Sequence, residues 1–209
     1  MEYLLLGFFT GLSLILAIGA QNIFVIEQGL KKQHIFLVCL ICSASDFILI
    51  FLGIFLFHHF IQYFNPTIEL VFNLLLIVFL LYFIYSKIKK FNYGISVKKD
   101  FKHNSKKNII FKTLGFTYLN PHVYSDTVFF LGNFSKNFIV SEKINFGIGA
   151  VLSSFIFFFL IGYTANYLSK FTHSKKLWKT INLLIIIFMS GLILLIFSDI
   201  LISWKTHIF

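Results

Sequence analysis

Residues 35–57 read IFLVCLICSASDFILIFLGIFLF, twenty-three positions with a single charge, Asp46, eleven residues from either end. A helix that crosses a bilayer needs about 20 mostly apolar residues, so this stretch predicts a span with a carboxylate at its middle. Similar runs lie at 4–26, 67–86, 113–132, 144–168 and 179–202. Together they predict an all-α, polytopic membrane protein with six transmembrane helices. The composition agrees. The chain has 209 residues, 58% hydrophobic and 12% charged, with 30 phenylalanines, whereas soluble domains have about 25% charged residues. A soluble enzyme and a disordered chain are both excluded.

The net charge of +10 arises from 18 lysines, no arginine and eight acids. In a soluble protein such a balance points to nucleic acid. Here the lysines lie between apolar runs, which excludes nucleic acid and orients the chain instead. The 1–2, 3–4 and 5–6 loops carry fifteen lysines and the opposite side carries three, Lys136, Lys143 and Lys205. The positive-inside rule therefore predicts a protein of the inner (cytoplasmic) membrane with both termini outside the cytoplasm. The N-terminal run opens Met1-Glu2-Tyr3 with no basic segment and continues to Ile26, so it reads as a retained helix and not a signal peptide.

Nine of the lysines fall in the 87–112 loop. Its expected roles are topology and attraction to anionic lipid. It separates a first three-helix half (1–86) from a second (113–209). Three is odd, so two related halves would be inverted in the membrane. Each half begins with an interrupted apolar segment, Ala17-Ile18-Gly19-Ala20-Gln21-Asn22 in the first and Tyr118-Leu119-Asn120-Pro121-His122 in the second. Breaks of this kind at corresponding positions are the best sequence pointer to a transporter's binding site.

The polar residues inside the spans carry the chemistry. A centred aspartate costs about 2.5–3.5 kcal/mol on insertion scales, so Asp46 is expected to face a cavity and to have a task there. Cys39, Cys42, Ser43, Ile50 and Gly53 recur on its stripe at three- and four-residue steps, which predicts an inward face. In the fourth span, Pro121 frees a backbone carbonyl, and His122 and Asp126 lie one turn apart beside Asn120, Tyr124 and Thr127. Gln21 and Asn22 sit deep in the first span beside Gly19. Two carboxylates with no base inside the spans select for a cation or protons. Broken helix ends offer N–H groups to an anion. The combination suits an amino acid with a cationic side chain, and equally leaves a metal ion or a polyamine open. Gly7 and Gly11 form a GxxxG, read as close helix packing.

These motifs carry a resemblance. Ile18-Gly19-Ala20-Gln21-Asn22-Ile23-Phe24-Val25 with Gln28-Gly29-Leu30-Lys31-Lys32, then Ser45-Asp46-Phe47-Ile48-Leu49-Ile50, then Leu119-Asn120-Pro121-His122-Val123-Tyr124 with Asp126-Thr127, resemble in order the motifs of the LysE family of basic amino-acid exporters. Ser154-Phe155, Ile181-Asn182 and Asp199 are weaker matches. Where the family has Gly-Pro before Gln-Asn, this chain has Gly19-Ala20. The resemblance implies a secondary transporter, not an enzyme, without cofactor or metal, that exports L-arginine or L-lysine by proton-coupled antiport; His122 favours the arginine-exporter branch. It further implies that Asp46 and Asp126 bind the cationic group and exchange protons, with His122 as a relay. Gln21, Asn22, Asn120 and Tyr124 would orient the substrate's backbone groups, with Gly19 and Pro121 breaking the helices. A homo-oligomer is compatible with the sequence. Sister families move neutral amino acids or cadmium. A thiol-redox protein using Cys39 and Cys42 is a separate reading, although a lone C-x-x-C within a helix lacks the setting that dithiol chemistry needs.

Overall fold

Every described element is helical. The computed structural model describes the backbone of residues 1–16, 19–63, 66–92, 105–171 and 175–208. Ala17 and Ile18 of the first break, residues 93–104 of the lysine-rich loop, and the side chain of Asp199 lie outside the described residues.

The helices are α1 (Glu2–Ile15), α2 (Ala20–Lys31), α3 (Ile35–Tyr63), α4 (Pro66–Asn92), α5 (Lys106–Tyr118), α6 (Pro121–Tyr124), a π-helical stretch (Ser125–Phe130), α7 (Leu131–Phe134), α8 (Val140–Leu168) and α9 (Lys175–Ile208). By length and apolarity, Ile35–Phe57, Val140–Leu168 and Lys179–Ser198 each suffice to cross a membrane. Counted as one broken span, the bent pair α1/α2 makes a fourth, and Leu70–Ser86 is a shorter apolar segment. Among its described residues the chain is thus all-helical, with the apolar helices of a polytopic membrane protein.

The first run, expected as one span over 4–26, is two helices that meet at 82°. Gly19 is extended (φ −110°, ψ −179°) and opens α2, which ends only at Lys31, with Lys32 in the left-handed region (φ 55°). Lys31 is therefore helical and pairs with the buried Glu27 one turn back. The fourth run breaks likewise. Helix α5 ends at Tyr118, Asn120 is extended (φ −85°, ψ 108°), and Pro121 starts the next helix, where its missing N–H costs nothing. The ends of the 87–112 segment are helical, because α4 runs on to Asn92 and Ser105 caps α5 by accepting the Asn108 N–H at 3.3 Å.

Helix pairing is specific. Helix α1 lies along α8, α3 packs on the π-helical stretch and α7, α3 crosses α8, and α4 packs on α9. Glycines permit the closest of these. Gly7 abuts the Phe146 carbonyl, and a Cβ on Gly11 would lie 2.6 Å from Ser153 Oγ. On the other side of the molecule, a Cβ on Gly53 would lie 2.6 Å from the Thr127 carbonyl oxygen, and one on Gly132 would lie 2.6 Å from the Gly53 carbonyl.

The stripe read on α3 is inward. Cys39, Cys42, Ser43, Asp46, Ile50 and Gly53 are all buried, and Leu40, Phe47, Ile48 and Phe55 are exposed. The larger apolar cluster includes an aromatic layer. Phe116 stacks on Phe24 (4.8 Å between centroids) and meets Phe79 (4.8 Å) and Phe83 (5.0 Å) edge-on.

Candidate functional site

Both helix breaks open onto one cavity of about 360 Å³, within the range of small-molecule sites, roughly 300–1,000 Å³. Its polar side is built by the breaks and by α3: Gly19, Gln21 and Asn22 from the first, Asn120, His122, Asp126 and Thr127 from the second, and Asp46. Leu76 and Leu80 of α4, Phe158 of α8, and Leu192, Leu195 and Ile196 of α9 form the apolar wall. Among the described residues, no lysine lines it.

Asp46 is 3% exposed, and its Oδ2 accepts a hydrogen bond from the Ser154 hydroxyl of α8 at 2.7 Å. Hydrogen bonds to an ionised carboxylate are about twice as strong as neutral ones. This one holds the carboxylate in place at the cavity wall. Asp126 sits in the π-helical stretch and lines the same cavity as Asp46 and His122. The wider π turn displaces the backbone ladder, and the Thr127 hydroxyl donates to the Val123 carbonyl at 2.5 Å. Such bulges are frequent at functional sites.

The amides divide the work. Asn22 Nδ2 donates to the Ile15 carbonyl at 3.1 Å, satisfying the open end of α1 across the break. Asn120 Oδ1 accepts the His122 N–H at 3.2 Å, which turns its Nδ2 toward Gly19, 3.9 Å from where a Cβ on that glycine would lie. Gln21 is 6% exposed, and its Nε2 has no hydrogen-bond partner among the described residues. No side chain caps α2.

Two residues named from the sequence stand apart from the lining. Pro121 is buried at the start of α6. Tyr124 donates its hydroxyl to the Tyr118 carbonyl at 2.9 Å and packs its ring on Phe72 (5.2 Å). Its local work is to satisfy a carbonyl that the broken α5 leaves open. Ser154 and the apolar wall were not assigned to the site from sequence. Ser154 is 108 residues from its partner Asp46, and nothing separates a cavity-facing leucine from a lipid-facing one in a run of leucines. Cys39 and Cys42 are buried free thiols outside the cavity lining, and Cys39 donates to the Phe158 carbonyl at 3.2 Å.

A membrane chain with two broken helices around a carboxylate-bearing cavity has the layout of a secondary transporter. The family model for LysE type translocators matches residues 12–199. The chain belongs to the LysE family. It is 32% identical over 190 residues to the arginine exporter protein ArgO of Pectobacterium atrosepticum, covering 90% of this chain and 93% of that protein. It is 30% identical over 199 residues to a putative amino-acid transporter, YggA, of Aeromonas salmonicida (94% and 96%). It is 31% identical over 187 residues to the ArgO of Salmonella typhimurium (88% of each). No solved structure matches. This LysE-type protein is a translocator and not an enzyme, and its apolar helices make it a multi-pass membrane protein.

Proposed function

We propose that the translocator exports a cationic L-amino acid, arginine before lysine, by proton-coupled alternating access. The observation that carries the reading is the pair of carboxylates, Asp46 and Asp126, in one cavity that no lysine lines among the described residues. A guanidinium or ammonium group there has two acceptors and no competing lysine among the described residues. The relatives named as arginine exporters favour arginine. Asp46 and Asp126 bind the cationic group and pick up protons as it leaves, and His122 relays protons to Asp126.

The proposed architecture is six spans in two inverted halves, with 1–86 and 113–209 as the halves. Support comes from the helix pairing. Exchanging α1/α2, α3 and α4 for α5–α7, α8 and α9 turns the α1–α8 contact into the contact of α3 with the second broken span, and returns the α4–α9 and α3–α8 contacts to themselves. In this topology both termini lie outside the cytoplasm, and the lysine-rich loop lies inside against anionic lipid.

Retention of labelled arginine and lysine in cells without their own basic-amino-acid exporters tests the reading. Faster loss of arginine, abolished by Asp46→Asn and by a protonophore, is the expected result. Loss of neither label would put neutral amino acids or cadmium forward as cargo. Undiminished coupled export by a protein with both aspartates changed to Asn would overturn the mechanism.

A further inference from the structure

The two halves of the chain are interlocked, and one helix of each stands outside the interlock. Helices α1 to α3 meet the second half backbone to backbone. Gly7 abuts the Phe146 carbonyl, Gly149 the Leu4 carbonyl, Gly29 the Gly162 carbonyl, and Gly53 the backbone of Thr127 and Val128. The buried hydrogen bond from Ser154 to Asp46, 2.7 Å long, also joins the halves. Rocking one half against the other would part all of these contacts at once.

Helices α4 and α9 lie on each other instead. Their principal contacts beyond this pairing are those of α4 with α5 and α6, and of α9 with α2. Of the most apolar stretch of α9, 17% is buried, against 44% in each of α3 and α8. A Cβ on Gly191 of α9 would meet nothing within 4 Å. Where α4 reaches α5, side chains and not backbone make the contact. The Phe79 ring sits in the notch at Gly115, 2.6 Å from where a Cβ would lie, and Phe79 and Phe83 meet Phe116 edge-on. Lipid tails are as apolar as leucine, so such contacts are readily exchanged in a bilayer, whereas close backbone packing and hydrogen bonds are not.

The cavity lining divides along the same seam. Its polar residues, from Gln21 to Thr127, all belong to the interlocked helices and their breaks, whereas α4 and α9 contribute Leu76, Leu80, Leu192, Leu195 and Ile196. Displacing that wall leaves no hydrogen-bonding group of the lining behind. Moving elements are drawn from the least firmly held parts of a fold.

We propose that α4 and α9 move together as one arm across a fixed scaffold of α1–α3 and α5–α8, with the Phe79 and Phe83 rings on Phe116 as the gate that the movement opens. The proposal rests on the reading that access alternates, and it names the part that moves. The cargo stays with the scaffold, which holds both aspartates, while the apolar wall slides past it. Because the arm takes the last helix of each half, the exchange of halves returns the arm to itself.

The test is the distance between spin labels on engineered cysteines in the full chain, in lipid nanodiscs with and without arginine. Exposed positions carry the labels: Phe55 of α3, Val78 of α4, Leu160 of α8 and Leu184 of α9. The native Cys39 and Cys42 are 0% exposed and stay out of reach of the reagent. Each labelled protein is first shown to transport arginine, and Leu81→Cys replaces Val78→Cys if that variant misfolds. The Phe55–Val78 distance, within the first half but across the seam, is expected to shift by several ångströms on adding arginine. The Phe55–Leu160 and Val78–Leu184 distances, each between halves but on one side of the seam, are expected to hold. Phe79→Ala, which empties the Gly115 notch, is expected to shift the Phe55–Val78 distance without arginine; an unchanged distance there would overturn the gate. The reverse pattern, or a constant Phe55–Val78 distance in a protein that transports arginine, would overturn the arm. Absence of arginine transport by the unlabelled wild-type protein would instead overturn the proposed function.

Discussion

Gly53→Ala probes how the two aspartates come to share one cavity. The added Cβ would lie 2.6 Å from both the Thr127 carbonyl oxygen and Val128 Cα, and 2.7 Å from the Val128 carbonyl oxygen. Ordinary van der Waals contact begins at 3.4 Å, so α3 and the π-helical stretch must part by close to an ångström. All three obstructing atoms are backbone, so no side chain can rotate out of the way. Gly132 also lies close to the Gly53 carbonyl, 2.6 Å from where its own Cβ would be, so the two backbones are in close contact at more than one point. Overpacking of this kind costs about 1–3 kcal/mol. The larger effect is on geometry. Gly53 is two helical turns from Asp46 on one stripe, and Thr127 follows Asp126 directly, so separating them widens the carboxylate pair. A misplacement of about 1 Å costs on the order of 10²-fold in enzymes. Arginine efflux from proteoliposomes is therefore expected to fall by about 10- to 100-fold while the protein still purifies as a folded species. Gly191→Ala is the control, because nothing lies within 4 Å of its added Cβ. Wild-type efflux from Gly53→Ala, at unchanged stability, would refute the idea that this backbone contact sets the spacing of the aspartates.

Ser154→Ala leaves Asp46 Oδ2 buried without its donor, at a cost of about 1–3 kcal/mol; export should fall sharply and recover in Ser154→Thr, and a full loss in both variants would point to packing instead. Tyr124→Phe removes the hydroxyl from the Tyr118 carbonyl, so thermal stability should drop by about 1 kcal/mol with the KM for arginine unchanged; a raised KM would return Tyr124 to the substrate. The double change Cys39→Ala and Cys42→Ala should retain coupled export, with some loss of stability from the small cavities left; abolished export from a protein of wild-type stability would revive the thiol readings.

Much of the architecture was legible in particular residues. The inward stripe of α3 could be read because its small and polar side chains recur at helical spacing while its outer face is uniformly large. Both breaks could be read because Gly19 and Asn120-Pro121 interrupt otherwise apolar runs. The reach of α2 to Lys31 was not legible, since the pairing of Lys31 with a buried Glu27 depends on how α2 seats against α8. Nor was the π-helical stretch, whose backbone Gly53 approaches from a helix distant in sequence. Asn22 and Tyr124 show a further gap. Both are polar residues at a break, as substrate ligands would be, yet each has a donor engaged by a backbone carbonyl that the break itself exposes. Sequence reports that such a donor is present; only the fold reports which acceptor it meets.

The aromatic layer bears on insulation. Gln21 precedes Phe24 by three residues on α2, Leu80 precedes Phe83 by three on α4, and Asn120 follows Phe116 by four, just past the end of α5, so each helix carries this layer within about one turn of the cavity lining. Each also leads on toward the lysine-bearing loops. Four phenyl rings carry no hydroxyl, amide or carboxylate on which a chain of water molecules could hang. The Lys112 ammonium, 5.7 Å from the Phe83 centroid, adds a fixed positive charge at the rim. Under the proton coupling proposed above, a proton held at the aspartates would meet this apolar aromatic layer and, beyond it, a like charge, so the layer would keep the membrane gradient from short-circuiting through an idle transporter.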